Sequence, residues 1–182
     1  MKRIFRTVLS KVLCLSIILM LQTPSFARDY MEILRFDKGD VFNDGAGEQA
    51  LSKQHGKNGK VCMKITFKEG SEEWIGELNP GKKAWGNFKY VKFHVFNDEQ
   101  EERELNFTIK GAKEPPNDKS NWYEKIFKLK PGENDCEIAL DSAVCVDGKS
   151  KLDYSKIYLY AFRTDKSGKP LTIFISDFKL TK

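Results

Sequence analysis

Apolar side chains alternate with polar ones at Val61, Met63, Ile65 and Phe67, and again at Val91, Phe93 and Val95. A period of two puts successive side chains on opposite faces of an extended strand, so these runs demand a sheet with one buried face. Between them stand Gly70, Trp74, Asn79-Pro80-Gly81 and Trp85, a Gly/Pro turn bracketed by indoles. Two half-buried strands around such a turn are the pattern of an antiparallel β-sandwich that displays aromatic side chains.

The same period recurs along the chain, and helical periodicity is scarce. Strands are expected near Glu32 to Phe36, Lys60 to Phe67, Trp74 to Leu78, Lys89 to Phe96, Glu104 to Lys110, Trp122 to Leu129, Asp135 to Leu140, Lys156 to Phe162 and Leu171 to Leu180. Gly45, Gly47, Gly56, Gly59, Pro115-Pro116-Asn117, Pro131-Gly132, Gly148 and Gly168 punctuate them. The acidic segment Asp98 to Glu102 reads as a solvated hairpin tip, whose charge discourages edge association. The expected fold is all-β: an antiparallel β-sandwich of jelly-roll type with about nine strands.

Residues 1–27 stand apart. Lys2, Arg3, Arg6 and Lys11 precede or enter the apolar run Val12 to Leu21, and Ser25-Phe26-Ala27 offers small residues where a signal peptidase reads. That run holds about 10 residues against the roughly 20 a membrane helix needs, so a signal peptide is expected, with an uncleaved anchor as the alternative. Cys14 lies too far from the cleavage motif for a lipid-attachment cysteine. Export to the periplasm or the extracellular space follows, with no transmembrane segment after processing and a single domain over 28–182. The leader carries four of the 31 Lys and Arg and no acidic residue, which leaves 27 basic against 26 acidic. A near-neutral body without a basic cluster interleaved with aromatics disfavours nucleic acid as a partner.

Three cysteines follow the leader: Cys62, Cys136 and Cys145. In an oxidising compartment the arithmetic suggests one bridge, and proximity selects Cys136 with Cys145, worth roughly 2–3 kcal/mol. Three buried thiols is the competing arrangement, and the spacings match no zinc pattern.

Register narrows the choice of faces. With Val91, Phe93 and Val95 turned inward, Tyr90, Lys92, His94 and Phe96 share the opposite face. Tyr158, Tyr160 and Phe162 alternate with Ile157, Leu159 and Ala161, and apolarity on both faces marks strands in the middle of a sheet. Catalytic signals are weak. His55 and His94 lie in different elements, no Gly-x-Ser-x-Gly elbow occurs, and the carboxylates, such as Glu73 and Glu124, carry no diagnostic spacing. The chain is therefore not expected to be an enzyme, with a small glycan-active enzyme as the remaining alternative.

Phe36-Asp37, Leu51-Ser52, His55 before Gly59, Val61 to Phe67, Trp74 with Gly76, Trp85-Gly86-Asn87-Phe88 and Tyr90 to Asn97 resemble, in this order, the galactose-binding-like jelly-roll modules. Phe127 to Asn134, Leu152 to Ile157 and Ile173 to Leu180 continue the resemblance over nearly the whole body. Such modules are often appended to glycoside hydrolases as non-catalytic carbohydrate-binding units. The resemblance implies a polysaccharide or glycan as partner, and it supports the fold more than the ligand.

Sugar binding needs flat aromatic faces bordered by polar groups, each stacked contact being worth about 0.5–1.5 kcal/mol. The candidates are Trp74, Trp85, Trp122 and Tyr123, with Lys92, His94, Asn121, Asn87, Glu124 and Arg163 as polar partners. Core packing is the competing role for Trp74, Trp85 and Trp122. The resemblance also implies a structural calcium joining the two ends of the domain, with Asp37 and Asp177 at the corresponding positions and Asp40, Asn43 or Asp44 completing the shell. A turn rich in side-chain-to-backbone hydrogen bonds is the alternative for that run. No other cofactor is expected. The functional expectation is an exported glycan-binding module, and the alternative is an adaptor of the cell envelope that grips another exported protein.

Overall fold

The computed structural model describes residues 29–69, 73–82, 84–111, 118–164 and 169–182. The expected signal peptide, Cys14, Gly70, Pro115-Pro116-Asn117 and Gly168 lie outside them.

Among the described residues eleven antiparallel strands form two sheets: β1 (Tyr30–Glu32), β2 (Asp44–Gly45), β3 (Glu48–Ser52), β4 (Cys62–Phe67), β5 (Trp74–Leu78), β6 (Tyr90–Asn97), β7 (Arg103–Lys110), β8 (Trp122–Leu129), β9 (Gly132–Ala139), β10 (Leu159–Thr164) and β11 (Leu171–Thr181). Sheet A runs β3-β4-β11-β6-β9, with β1 beside the end of β11, and sheet B runs β2-β5-β10-β7-β8. The expected alternation holds. Val91, Phe93 and Val95 are buried between the sheets, and the two-sided strands β6 and β10 are interior members of their sheets.

Aromatic rings fill the space between the layers. Phe93 of sheet A meets Phe107 and Phe162 of sheet B at centroid distances of 5.4 and 5.2 Å, and Phe178 meets Tyr160 edge-on at 5.3 Å. Tilted and edge contacts of this kind suit the ring quadrupole and add to area burial.

Several elements differ from expectation, among them the two-residue strand β2, which was not expected. The first strand covers Tyr30–Glu32, and Phe36–Lys38 is a 3-10 turn, because Ile33, Leu34 and Phe36 are all buried and cannot alternate across a strand. The edge strand β3 was not expected: its residues are mostly exposed on both faces, so no alternation marks it. Asp98 to Glu102 is no hairpin tip. It carries the chain from β6 in sheet A to β7 in sheet B, pinned where Asn97 Nδ2 donates to the carbonyls of Glu101 and Leu129.

The expected Cys136–Cys145 bridge is absent, and both thiols are free and buried. Cys136 opposes Phe93 in the β6–β9 ladder, whereas Cys145 belongs to a turn in which its amide donates to the Ser150 carbonyl at 2.8 Å. Nearness in sequence does not set the Cβ geometry a bridge requires. Burial and the neighbouring Asp135 push the Cys136 thiol up to about 12, and burial raises Cys62 and Cys145 as well. All three thiols should therefore resist iodoacetamide in the native protein and alkylate fully in denaturant without reductant. Peptide mapping that finds Cys136 joined to Cys145 would overturn this reading.

Candidate functional site

The outer face of sheet B brings together two of the three tryptophans. Cross-strand pairing sets its rows. Trp74, Arg163, Asn106 and Ile126 form one, Gly76, Ala161, Thr108 and Glu124 the next, and Leu78, Leu159, Lys110 and Trp122 the third. Trp74 and Trp122 stand at opposite corners, three strand spacings or about 14 Å apart across the sheet and about 13 Å apart along it. Between them lies a hollow of about 260 Å³ over Thr108 and Ala161.

Local structure fixes both corners. The carbonyl of Trp74 accepts from the amide of Ala46 at 2.9 Å. That approach needs glycine at 45, where φ is +117° and an added Cβ would stand 2.3 Å from the Trp74 carbonyl oxygen. At the other corner, Asp118 caps the 3-10 turn before β8 by accepting from the Ser120 amide and hydroxyl. The Trp122 carbonyl then accepts from the Val146 amide at 2.7 Å. Rigid backbone thus holds both indoles.

Polar groups border the hollow. Lys110 Nζ stands 4.1 Å from the centre of the Trp122 ring, a cation–π contact. Burial, then the nearby Arg163, lowers the Lys110 pKa from the usual lysine value, and Glu124 opposes the shift. The Thr108 hydroxyl donates to Glu124 at 3.3 Å. Trp122 Nε1 and Asn106 Oδ1 are buried without a hydrogen-bond partner among the described residues. A ligand hydroxyl or a water reaching either atom recovers about 1 kcal/mol.

The remaining expected site residues lie elsewhere. Trp85 is fully buried in the core, its ring 5.6 Å from Tyr160 and its Nε1 donating to the Lys82 carbonyl, so it faces no ligand. Tyr123 packs against the core because β8 turns alternate residues inward from Trp122. Asn121 sits at the rim beside Trp122, where its carbonyl accepts from the Gly111 amide. Lys92 and His94 occupy the outer face of the other sheet.

Part of that second face is covered. His55 stacks on Phe96 at 3.8 Å, the Lys57 amide donates to Ser176 Oγ, and the Lys57 ammonium pairs with Asp135. His94 is buried beneath this segment with Nδ1 3.0 Å from Asp135, and Lys92 pairs with Glu137 at 2.6 Å. The Lys57 contact, then that of His94, holds the Asp135 carboxyl below the usual range. His94 Nε2 is buried without a partner among the described residues, and a cleft of about 490 Å³ lies beside Lys92, His94 and Glu137, whereas the outer face of sheet B carries the two half-buried indoles.

Asp37 and Asp177, the expected calcium ligands, do line one cleft. Lys60 Nζ lies 2.8 Å from Asp177 Oδ1, and no group of three His, Cys, Asp or Glu converges on a point among the described residues. The cleft is built as an ion pair, and a calcium ion there would compete with Lys60 for Asp177. Glu73 and Glu124 flank opposite sides of sheet B, about 14 Å apart by strand spacing, beyond the roughly 5–9.5 Å of a glycosidase carboxylate pair.

No protein-family model and no curated protein matches the chain. Solved structures do. A family 11 carbohydrate-binding module from Clostridium thermocellum, in complex with a β-1,3-1,4-mixed-linked tetrasaccharide, superposes with a TM-score of 0.57 at 13% identity, covering 88% of this chain and 93% of that one. A family 30 carbohydrate-binding module gives 0.60 at 14%, covering 85% and 88%. The agarase AgWH50C gives 0.61 at 11% over 85% of this chain, which spans only 25% of the agarase. At these identities the likeness establishes the fold, the jelly roll of carbohydrate-binding modules.

Proposed function

We propose that this protein is an exported, non-catalytic glycan-binding module whose ligand lies across the outer face of sheet B. The observation that carries the reading is the placement of Trp74 and Trp122 on one open face around a floor of small side chains. Their rings would pack on the C–H faces of sugar rings, while Thr108, Glu124, Lys110 and Arg163 would take hydroxyls or substituents. Gly76 and Ala161 keep the floor low between the rings. The likeness to carbohydrate-binding modules supports the reading, and the wide separation of Glu73 and Glu124 argues against hydrolysis by that pair. The export expected from residues 1–27 would place the face where polysaccharides occur.

A glycan array followed by affinity electrophoresis tests the proposal. Wild-type protein should be retarded by at least one polysaccharide, and Trp74→Ala and Trp122→Ala should each weaken binding about tenfold, as loss of a base-stacking aromatic does in other ring-stacking sites. Their circular dichroism should stay that of the wild type. Retardation unchanged in both variants would sink the assignment to this face, and a co-purifying protein with no glycan response would favour the adaptor.

A further inference from the structure

We propose that the outer face of sheet A holds a second sugar site, which takes an uncharged glycan with one of its hydroxyls donated to His94 Nε2. The site does not depend on sheet B. The two outer faces point away from each other across the core, so a module occupied on both would join two glycan chains. The centre of the site is the cleft of about 490 Å³, at which the β6–β11 register shifts between Ser176 and Lys179 and Asp177 turns to φ +52°. A shift of this kind interrupts the ladder and re-aims the side chains around it.

Lys57, Lys92 and Lys179 line the cleft together with Asp135, Glu137 and Asp177. Ion pairs join Lys57 to Asp135, Lys92 to Glu137 and Lys60 to Asp177. The walls are thus balanced in charge, and a charged ligand would have to break a pair to be held. A sugar hydroxyl donates and accepts at once, so it fits between an ammonium and a carboxylate with both left in place. The floor calls for a donor. His94 is 2% exposed and lines the cleft, with Nδ1 3.0 Å from Asp135 Oδ1. A carboxylate only accepts, so Nδ1 carries the proton and Nε2 of the neutral ring presents its lone pair. That lone pair is the buried one without a partner among the described residues, and a hydroxyl entering the cleft would satisfy it. Flat surface adjoins the cleft. Tyr30, Thr181 and Tyr90 stand side by side on β1, β11 and β6, and Tyr90 lies four residues, about 13 Å, along β6 from His94. Lys92 Nζ is 5.0 Å from the Tyr90 ring and Lys179 Nζ is 5.9 Å from the Tyr30 ring, which makes cleft and tyrosine row continuous. Thr181 Oγ1, between the two tyrosines, is a second buried atom without a partner among the described residues.

Nitrogen-15 NMR of the protein titrated with neutral cello-, xylo-, laminari- and agaro-oligosaccharides tests the site, because two histidines and three tryptophans give ring signals that report the two faces separately. At least one neutral probe should move the His94 ring signals to saturation, and should still do so in the Trp74→Ala, Trp122→Ala double variant. In that background Tyr90→Ala and His94→Leu should each weaken the remaining binding about tenfold by calorimetry, with circular dichroism and melting temperature checked in parallel. Should His94→Leu fail to fold, Tyr90→Ala and the His94 signals still decide. A His94 response that no neutral probe elicits, or that disappears in the tryptophan double variant, would refute the second site, and a Trp74 or Trp122 response would then leave the sheet B reading standing. A His94 response with none from Trp74 or Trp122 would uphold this site and remove that reading. A stronger His94 response to oligogalacturonate than to every neutral probe would overturn the uncharged class, and silence of all these rings would overturn both sites.

Discussion

Trp85→Ala is expected to lower the unfolding free energy by about 3–5 kcal/mol, the range for removing a fully buried large aromatic. The indole has no exposed surface, packs on Tyr160, and spends its single donor on the Lys82 carbonyl. Its backbone amide also donates to the Tyr154 carbonyl at 2.7 Å, which ties the β5–β6 connection to the segment before β10. Truncation would leave a cavity and an unpaired carbonyl together. Urea denaturation of Trp85→Ala and Trp122→Ala side by side checks the point: a large fall in midpoint for the first, and a small one for the second, whose ring lies on the open face. Equal, small losses would show that Trp85 does not anchor the core.

Gly76→Ala carries the second large effect. A Cβ at this position would stand 2.0 Å from the Tyr160 carbonyl oxygen and 2.6 Å from the Ala161 Cα. Both are backbone of the neighbouring strand, so β5 and β10 must separate and their ladder must weaken. The cost is expected near 3 kcal/mol, the upper end for overpacking a tight position. Because Gly76 pairs with Ala161, which lines the hollow, and shares β5 with Trp74, the same shift displaces Trp74 relative to Trp122. Glycan retardation should therefore drop in the variant even at temperatures where it remains folded. An unfolding free energy within about 0.5 kcal/mol of the wild type, the ordinary range of surface substitutions, would contradict the close approach of the two strands.

The partly covered face of sheet A illustrates why part of the site was not legible. Lys92 and His94 share a strand face with Tyr90 and Phe96, as the alternation requires, and nothing in that local pattern says that His55 and Lys57 fold over it. Conversely, Lys110 and Thr108 carry no signal of their own. They become part of a site because β7 pairs with both β8 and β10, contacts that join residues distant in sequence. Trp122 was legible through its polar preceding loop. Trp74 and Trp85 were indistinguishable, since each flanks the same turn and only the packing of the two sheets separates them.

The amino-acid sequence by itself determined the class: a period of two, Gly/Pro punctuation and two-sided central strands leave an antiparallel sandwich, because side-chain alternation is a property of extended backbone wherever it lies. It also set which residues of β6 face inward. Strand order, the free state of Cys136 and Cys145, and the choice of the open face were decided by tertiary structure alone. Each depends on which strands become neighbours and which loop covers them, and such long-range pairings are fixed by the packing of the whole core and not by any local run of residues.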